Sequence, residues 1–274
     1  MDILDTSRWR EDCPLIAADE SAPVGILNAE GSANVLLVGD HVSNRIPHAL
    51  AGLGLDDAVF GQHVASDIGT HRLISHLSAH LDAPAVLAGY SRLVVDMNRS
   101  LEDPTLIPEI SDEMPIPGNR GLTREQRSMR IHCFYRPYRM TIDGMLHRFH
   151  ARGIVPAFVS IHSFTPRLAD RQHRPWQIGL MWDKDPRIAR PLFDHLRGHP
   201  MNLCVGDNEP YSGRHAADYT IDHHAEAAGL PHLSIETRQD LIDSEDGAEQ
   251  WATILHECLQ DILADPDLYR IWEY

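Results

Sequence analysis

The 274-residue chain lacks several things, and each lack removes a class of function. It has no run of about eighteen apolar residues, so no membrane span is predicted. Its first residues, MDILDTSRWREDCP, are acidic and hold no apolar signal core, so the reading is a cytoplasmic protein. Cysteine is scarce. Cys13, Cys133, Cys204 and Cys258 are far apart and form no CxxC pair, so reduced thiols are expected and a cysteine zinc site is not. Positive charge is short too. The net charge of −16 argues against a nucleic-acid or anionic-membrane surface. An acidic small molecule would then need a local pocket of arginines.

Familiar catalytic strings are also missing. Without GxSxG a serine α/β-hydrolase is disfavoured. Without GxxxxGK[ST] a P-loop is disfavoured, and without HExxH so is the common metalloprotease helix. Ala51-Gly52-Leu53-Gly54 runs into acidic residues and does not complete a dinucleotide fingerprint.

What is present is a globular composition, 43% apolar and 23% charged, in which short β-rich runs alternate with helical patterns. Strands are predicted at Val35–Val38, Ala85–Ala88, Leu93–Asp96, Ala157–Ile161, Gln177–Trp182 and Leu233–Ile235. Helical spacing covers Asp57–Leu81, Thr123–Arg152 with Pro137 as a kink, Arg187–Arg197 and Ala248–Leu263. The alternation predicts a three-layer α/β/α domain on a mixed central sheet. No internal boundary is visible, so residues 1–274 read as one catalytic domain with 1–32 peripheral to it. The proline-rich stretch Leu101–Gly121 reads as a long loop, either a functional lid or a surface excursion.

Histidine is plentiful at 18 residues. Two of them, His41 and His162, emerge at the ends of apolar strands, where ligands bind in open α/β sheets. Two histidines and a carboxylate with one open position make a catalytic zinc set. Asp67 is the preferred third ligand. His63, Asp67 and His71 are four apart and would share a helical face, either as ligands or as a solvated polar stripe. His63 is the reserve ligand. Glu236, after Leu-Ser-Ile, suits a general base, or alternatively an ion pair with Arg238. The segment Tyr90-Ser-Arg92-Leu-Val-Val-Asp96-Met-Asn98-Arg99 carries forks and an amide that could clamp a carboxylate or steady an oxyanion, unless Arg92 and Asp96 merely pair.

Together these strings resemble the N-formylglutamate amidohydrolase family. The matching ones are Gly39-Asp-His41-Val-Ser-Asn-Arg-Ile-Pro47, Ser66-Asp67-Ile-Gly69, Tyr90 to Arg99, Ile161-His162-Ser163 and Ile235-Glu236-Thr-Arg238-Gln-Asp240-Leu-Ile242. The resemblance implies a zinc-carboxypeptidase-like fold, shared with aspartoacylase and succinylglutamate desuccinylase. It implies one zinc ion, or another divalent metal, on His41, Asp67 and His162. It implies Glu236 and Arg92 as catalytic groups, with Asn98, Arg99, Arg238 and Ser163 holding substrate. The substrate so implied is an N-acyl amino acid such as N-formylglutamate. The chain departs from the wider group's HxxE pattern, since position 44 is Asn. Pro210-Tyr211-Ser-Gly213 and Tyr219 to His224 also look like family features, either a pocket wall or a surface loop. The rivals are a carboxypeptidase, a deacylase for another acyl group, and a non-catalytic metal- or ligand-binding protein.

Overall fold

The computed structural model describes residues 5–167, 173–214 and 219–273. The first four residues of the N-terminal string lie outside them.

Nine strands lie among these residues. They are β1 (Val24–Leu27), β2 (Val35–Gly39), β3 (Ala85–Ala88), β4 (Ile110–Ser111), β5 (Met114–Pro115), β6 (Ala157–Phe164), β7 (Ile178–Met181), β8 (Val205–Asp207) and β9 (His232–Arg238). Seven form one mixed sheet in the order β1-β3-β2-β6-β9-β7-β8, and β4 and β5 make a separate hairpin. The central strands β3, β2, β6 and β9 run parallel, with β1 and β7 antiparallel to their inner neighbours.

The helices are α1 (Ser7–Glu11), α2 (Thr70–Leu81), α3 (Arg124–Arg130), α4 (Arg136–Ala151), α5 (Ala189–Gly198), α6 (Tyr219–His224) and α7 (Glu245–Ala264). Alternation along each strand divides the core into two layers. Val35, Leu37, Val159, Leu233 and Ile235 pack with Leu73, Leu77, Leu192 and Trp251 of α2, α5 and α7. Leu36, Val38, Val86 and Phe158 pack on the opposite face with Tyr138, Ile142 and Met145 of α4 and Ile221 of α6. The layered α/β arrangement read from the alternation is therefore observed. Among the described residues no helix is long and apolar enough to cross a membrane.

Several local expectations are corrected. Leu93–Asp96 is not a strand but a buried turn, because side chains take its carbonyls: Asn119 bonds Leu93 O and Arg130 bonds Val94 O. The predicted helix Asp57–Leu81 breaks up. Residues 57–61 form a 3-10 turn, 62–69 are irregular, and only Thr70 onward is α-helical. Its apolar pattern misleads because Val64 and Ala65 enter a small separate cluster with Leu53, Leu93 and Ile116. Thr123–Arg152 divides into α3, a π-helical turn over Ile131–Tyr135, and α4, with Pro137 in the first turn of α4.

The segment before Ser32 supplies the edge strand β1 and buries Cys13 and Ile16. Cys13 is joined to Cys133 by a disulfide, with Cα atoms 5.0 Å apart, so these two thiols are not free as expected. A separation of 120 residues hides this pairing, which the docking of the N-terminal segment on the π-helical turn creates. The 101–121 stretch is anchored rather than loose. It buries Leu106, Ile107 and Ile116, and Arg130 ties it down through Asn119 and Gly118.

Candidate metal centre

From β2 the chain passes through α2 to β3 on one side, then crosses back through α4 on the opposite face to β6 on the other side of β2, so the crevice at the carboxyl ends of β2 and β6 is a topological switch point. His41 stands just past that end. His162 lies in β6, and parallel pairing sets it directly beside Glu236 of β9. Asp67 arrives from the irregular stretch before α2. Its N–H donates to the His41 carbonyl at 2.8 Å, which pins the loop against the end of β2. Gly69 makes this approach feasible. Its φ is +83°, and a Cβ there would lie 2.2 Å from the Ile242 carbonyl oxygen.

The result is a compact donor set. One ligand atom from each of His41, Asp67 and His162 lies within 4.8 Å of the others, and all three residues are buried. The nearest approaches are His162 Nδ1 to Asp67 Oδ2 at 2.9 Å and His41 Nδ1 to Asp67 Oδ2 at 3.6 Å. Both imidazoles thus turn Nδ1 inward. Their Nε2 atoms face outward onto further acceptors. His41 Nε2 lies 2.8 Å from Asp96 Oδ1. His162 Nε2 lies 3.0 Å from Ser160 Oγ and 3.4 Å from Asp40 Oδ2. This is the arrangement in which an outer carboxylate fixes a ligand tautomer and strengthens it as a donor. The buried imidazole–carboxylate–imidazole set therefore fits a divalent ion.

The electrostatics agree. Burial, reinforced by the charge of Arg92, lowers His41 to about 4 and His63 to about 3, so both are neutral near pH 7, as ligation requires. Burial alone would raise Asp40, but hydrogen bonding with the neighbouring His162 holds it at about 2. Burial would likewise raise Asp96, yet His41, Arg99 and Arg92 keep it well below the usual carboxylate range.

Around the set lies a cavity of about 490 Å³ lined by Arg92, Asn98, Arg99, Ser163, Tyr211 and Glu236, among others. Its coherence accounts for the strings spread through the sequence. The chain belongs to the N-formylglutamate amidohydrolase family. The sequence profile of that family matches residues 33–243. Among solved structures, a gene product of Agrobacterium tumefaciens superposes with a TM-score of 0.87 at 34% identity, covering 91% of this chain and 98% of its own. N-formylglutamate amidohydrolase from Ralstonia eutropha superposes with a TM-score of 0.68 at 21% identity, covering 89% and 97%, and supports the fold. No functionally curated protein matched the sequence.

Most of the site residues singled out in the sequence meet at this cavity. Arg92 lies against Asp67, not Asp96, and burial lowers its pKa. Asn98 accepts from the Thr220 N–H at 2.8 Å, so its amide oxygen is held and its NH₂ end is the donor. Arg99 donates to the Asn98 carbonyl, and Ser163 Oγ to the Ile68 carbonyl. Arg238 is not part of the cavity wall; it pairs with Asp240 at 2.7 Å.

His63 lies 3.8 Å from Asp67, beside the trio, whereas His71 is exposed and lines a different cleft. The common helical face expected for these two does not form. Of the two later family strings, Pro210, Tyr211 and Ser212 do form cavity wall, while Tyr219 to His224 form α6 behind it. Asp40, Ser160 and Thr220 lie within or beside the strings singled out in the sequence, which gave none of them a role. Asp96 figured there only as a possible partner of Arg92. Asp40 carries one usable signal: a carboxylate that ends an apolar strand run directly before a ligand-type histidine sits where burial would demand partners for its charge.

Proposed function

We propose that the protein is a metal-dependent amidohydrolase that removes the N-acyl group, formyl above all, from a small acidic amino acid such as N-formylglutamate. The convergence of His41 Nδ1, Asp67 Oδ2 and His162 Nδ1, with Glu236 beside them in one cavity, carries this reading. These three side chains would hold one divalent ion, for which two imidazoles and a carboxylate suit zinc. When bound, such an ion supplies Lewis acidity, lowering the pKa of water and polarising a carbonyl.

The chain's own groups do the rest. Glu236 takes the proton from the attacking water as its oxygen bonds to the acyl carbon. Arg92 donates to the carbonyl oxygen as negative charge builds there. Glu236 then gives the proton to the amide nitrogen, the C–N bond breaks, and formate and the free amine leave. Asn98 through its NH₂ and Arg99 through its guanidinium anchor a substrate carboxylate, and Ser163 lines the wall. In a chain with a net charge of −16, Arg92 and Arg99 supply the local positive field that an acidic substrate needs.

The test is release of formate from N-formylglutamate by zinc-loaded protein, with N-acetyl, N-succinyl and short peptide substrates alongside. Formate release that chelator abolishes is expected. Full turnover in chelator refutes the metal's part, and preference for a C-terminal peptide bond makes the protein a carboxypeptidase instead.

A further inference from the structure

Behind the candidate metal centre lies a buried polar chain that the reaction itself does not use. If His162 offers Nδ1 inward, its Nε2 carries the proton. That N–H donates to Ser160 Oγ at 3.0 Å, and the Ser160 hydroxyl is directed to Asp40 Oδ2 at 3.5 Å. The other Asp40 oxygen, Oδ1, accepts from Thr220 Oγ1 at 2.9 Å. The Thr220 hydroxyl also lies 3.5 Å from the Met97 carbonyl, but it has one proton and the carboxylate is the nearer, charged acceptor. Asp40, Ser160 and Thr220 are all fully buried. A carboxylate this deep depends on its donors for its orientation.

Thr220 also reaches the other half of the cavity. Its backbone N–H donates to Asn98 Oδ1 at 2.8 Å, which directs the amide of that residue. One residue of α6 therefore touches both the carboxylate behind His162 and a cavity-lining amide.

We infer that Thr220 is a positioning residue whose hydroxyl fixes Asp40, and through Asp40 and Ser160 the orientation and basicity of His162 as a metal ligand, while its backbone amide independently aims Asn98. The inference rests on the metal reading above. The hydroxyl belongs to the metal half and the amide to the substrate half. Replacing the side chain should therefore weaken metal binding and leave substrate binding alone.

The experiment measures zinc affinity of stripped protein by competition with a chromophoric chelator, and kcat and KM at saturating zinc. In Thr220→Val the zinc dissociation constant should rise about tenfold, the lower end for loss of an outer partner. KM should stay within about twofold, since the amide that holds Asn98 remains. Thr220→Ser should restore the affinity. In an Asp40→Asn background the Thr220→Val change should add nothing, because the charge it serves is gone.

Wild-type affinity in Thr220→Val, no rescue by serine, or an equal loss in the Asp40→Asn background would each overturn the inference while leaving the metal centre standing. A wild-type protein that takes up no zinc overturns both. Thermal unfolding of the stripped variants reports folding, and Thr220→Ala replaces Thr220→Val in the same cycle if the valine variant does not fold.

Discussion

Replacing Asp96 by Asn isolates the contribution of an outer carboxylate to the candidate metal centre. Asp96 Oδ1 accepts from His41 Nε2 at 2.8 Å and from the Asn98 N–H at 2.9 Å. Both donors hold that oxygen in place, so the replacement amide keeps its carbonyl there and the geometry survives. What disappears is the charge. A hydrogen bond to an ionised acceptor contributes about 1.5–3 kcal/mol against about 1 for a neutral one, so the expected loss is about 0.5–2 kcal/mol. Asp96 is only 7% exposed, so solvent does little to screen that difference. The loss corresponds to zinc binding weaker by about 2- to 30-fold. Chelator competition on stripped protein reads it directly, with thermal unfolding of the metal-free form as the control for folding. Zinc affinity equal to wild type would show that His41 is not a ligand backed by Asp96, and the proposed tautomer would fall with it.

Glu236→Gln should keep zinc and KM while kcat falls by about 10²–10⁴, the usual span for a lost acid–base group, and steady-state kinetics on metal-saturated protein decides. Arg99→Ala should raise KM about 10- to 100-fold for a substrate carboxylate, and an unchanged KM would remove Arg99 from recognition. Gly69→Ala forces a side chain into positive φ and against the Ile242 carbonyl, so a loss of more than about 2 kcal/mol is expected, together with weaker zinc binding as Asp67 shifts. A wild-type melting temperature would refute that.

In metal-free protein, burial sets His41 at about 4 and His63 at about 3, both below their ordinary value of 6.5. Between 6.5 and these lowered values the unfolded chain binds more protons, so stability should be flat above pH 7 and fall from about pH 6.5 toward 3. Asp40, held at about 2, acts in the same direction at lower pH, its contribution lost as the acid titrates it. A urea midpoint that rises on acidification contradicts this.

The strands that bear the site were legible because they are buried on both faces. Val35–Val38 is a continuous apolar run, Ala157–Ile161 and Leu233–Ile235 are apolar but for one serine each, and the polar residues that follow them, His41, His162 and Glu236, stand out for that reason. Leu93–Asp96 has the same look, yet its burial comes from the anchored 101–121 stretch and its hydrogen bonds from Asn119 and Arg130. Composition cannot tell a side-chain partner from a neighbouring strand. The choice of Asp67 drew on a helix that does not exist there, and the residue reaches the site through a backbone bond to His41 instead. The support behind the ligands was illegible for a further reason. Asp40, Asp96, Ser160 and Thr220 come from four distant stretches, and only the folded sheet brings them behind two imidazoles.

Anomalous diffraction from a zinc-loaded crystal would examine the central arrangement most directly. The expected outcome is a single strong peak about 2.0–2.2 Å from His41 Nδ1, His162 Nδ1 and Asp67 Oδ2, with Glu236 facing the open side. A peak on His63 in place of either histidine, or no ordered metal at these three side chains, would contradict it.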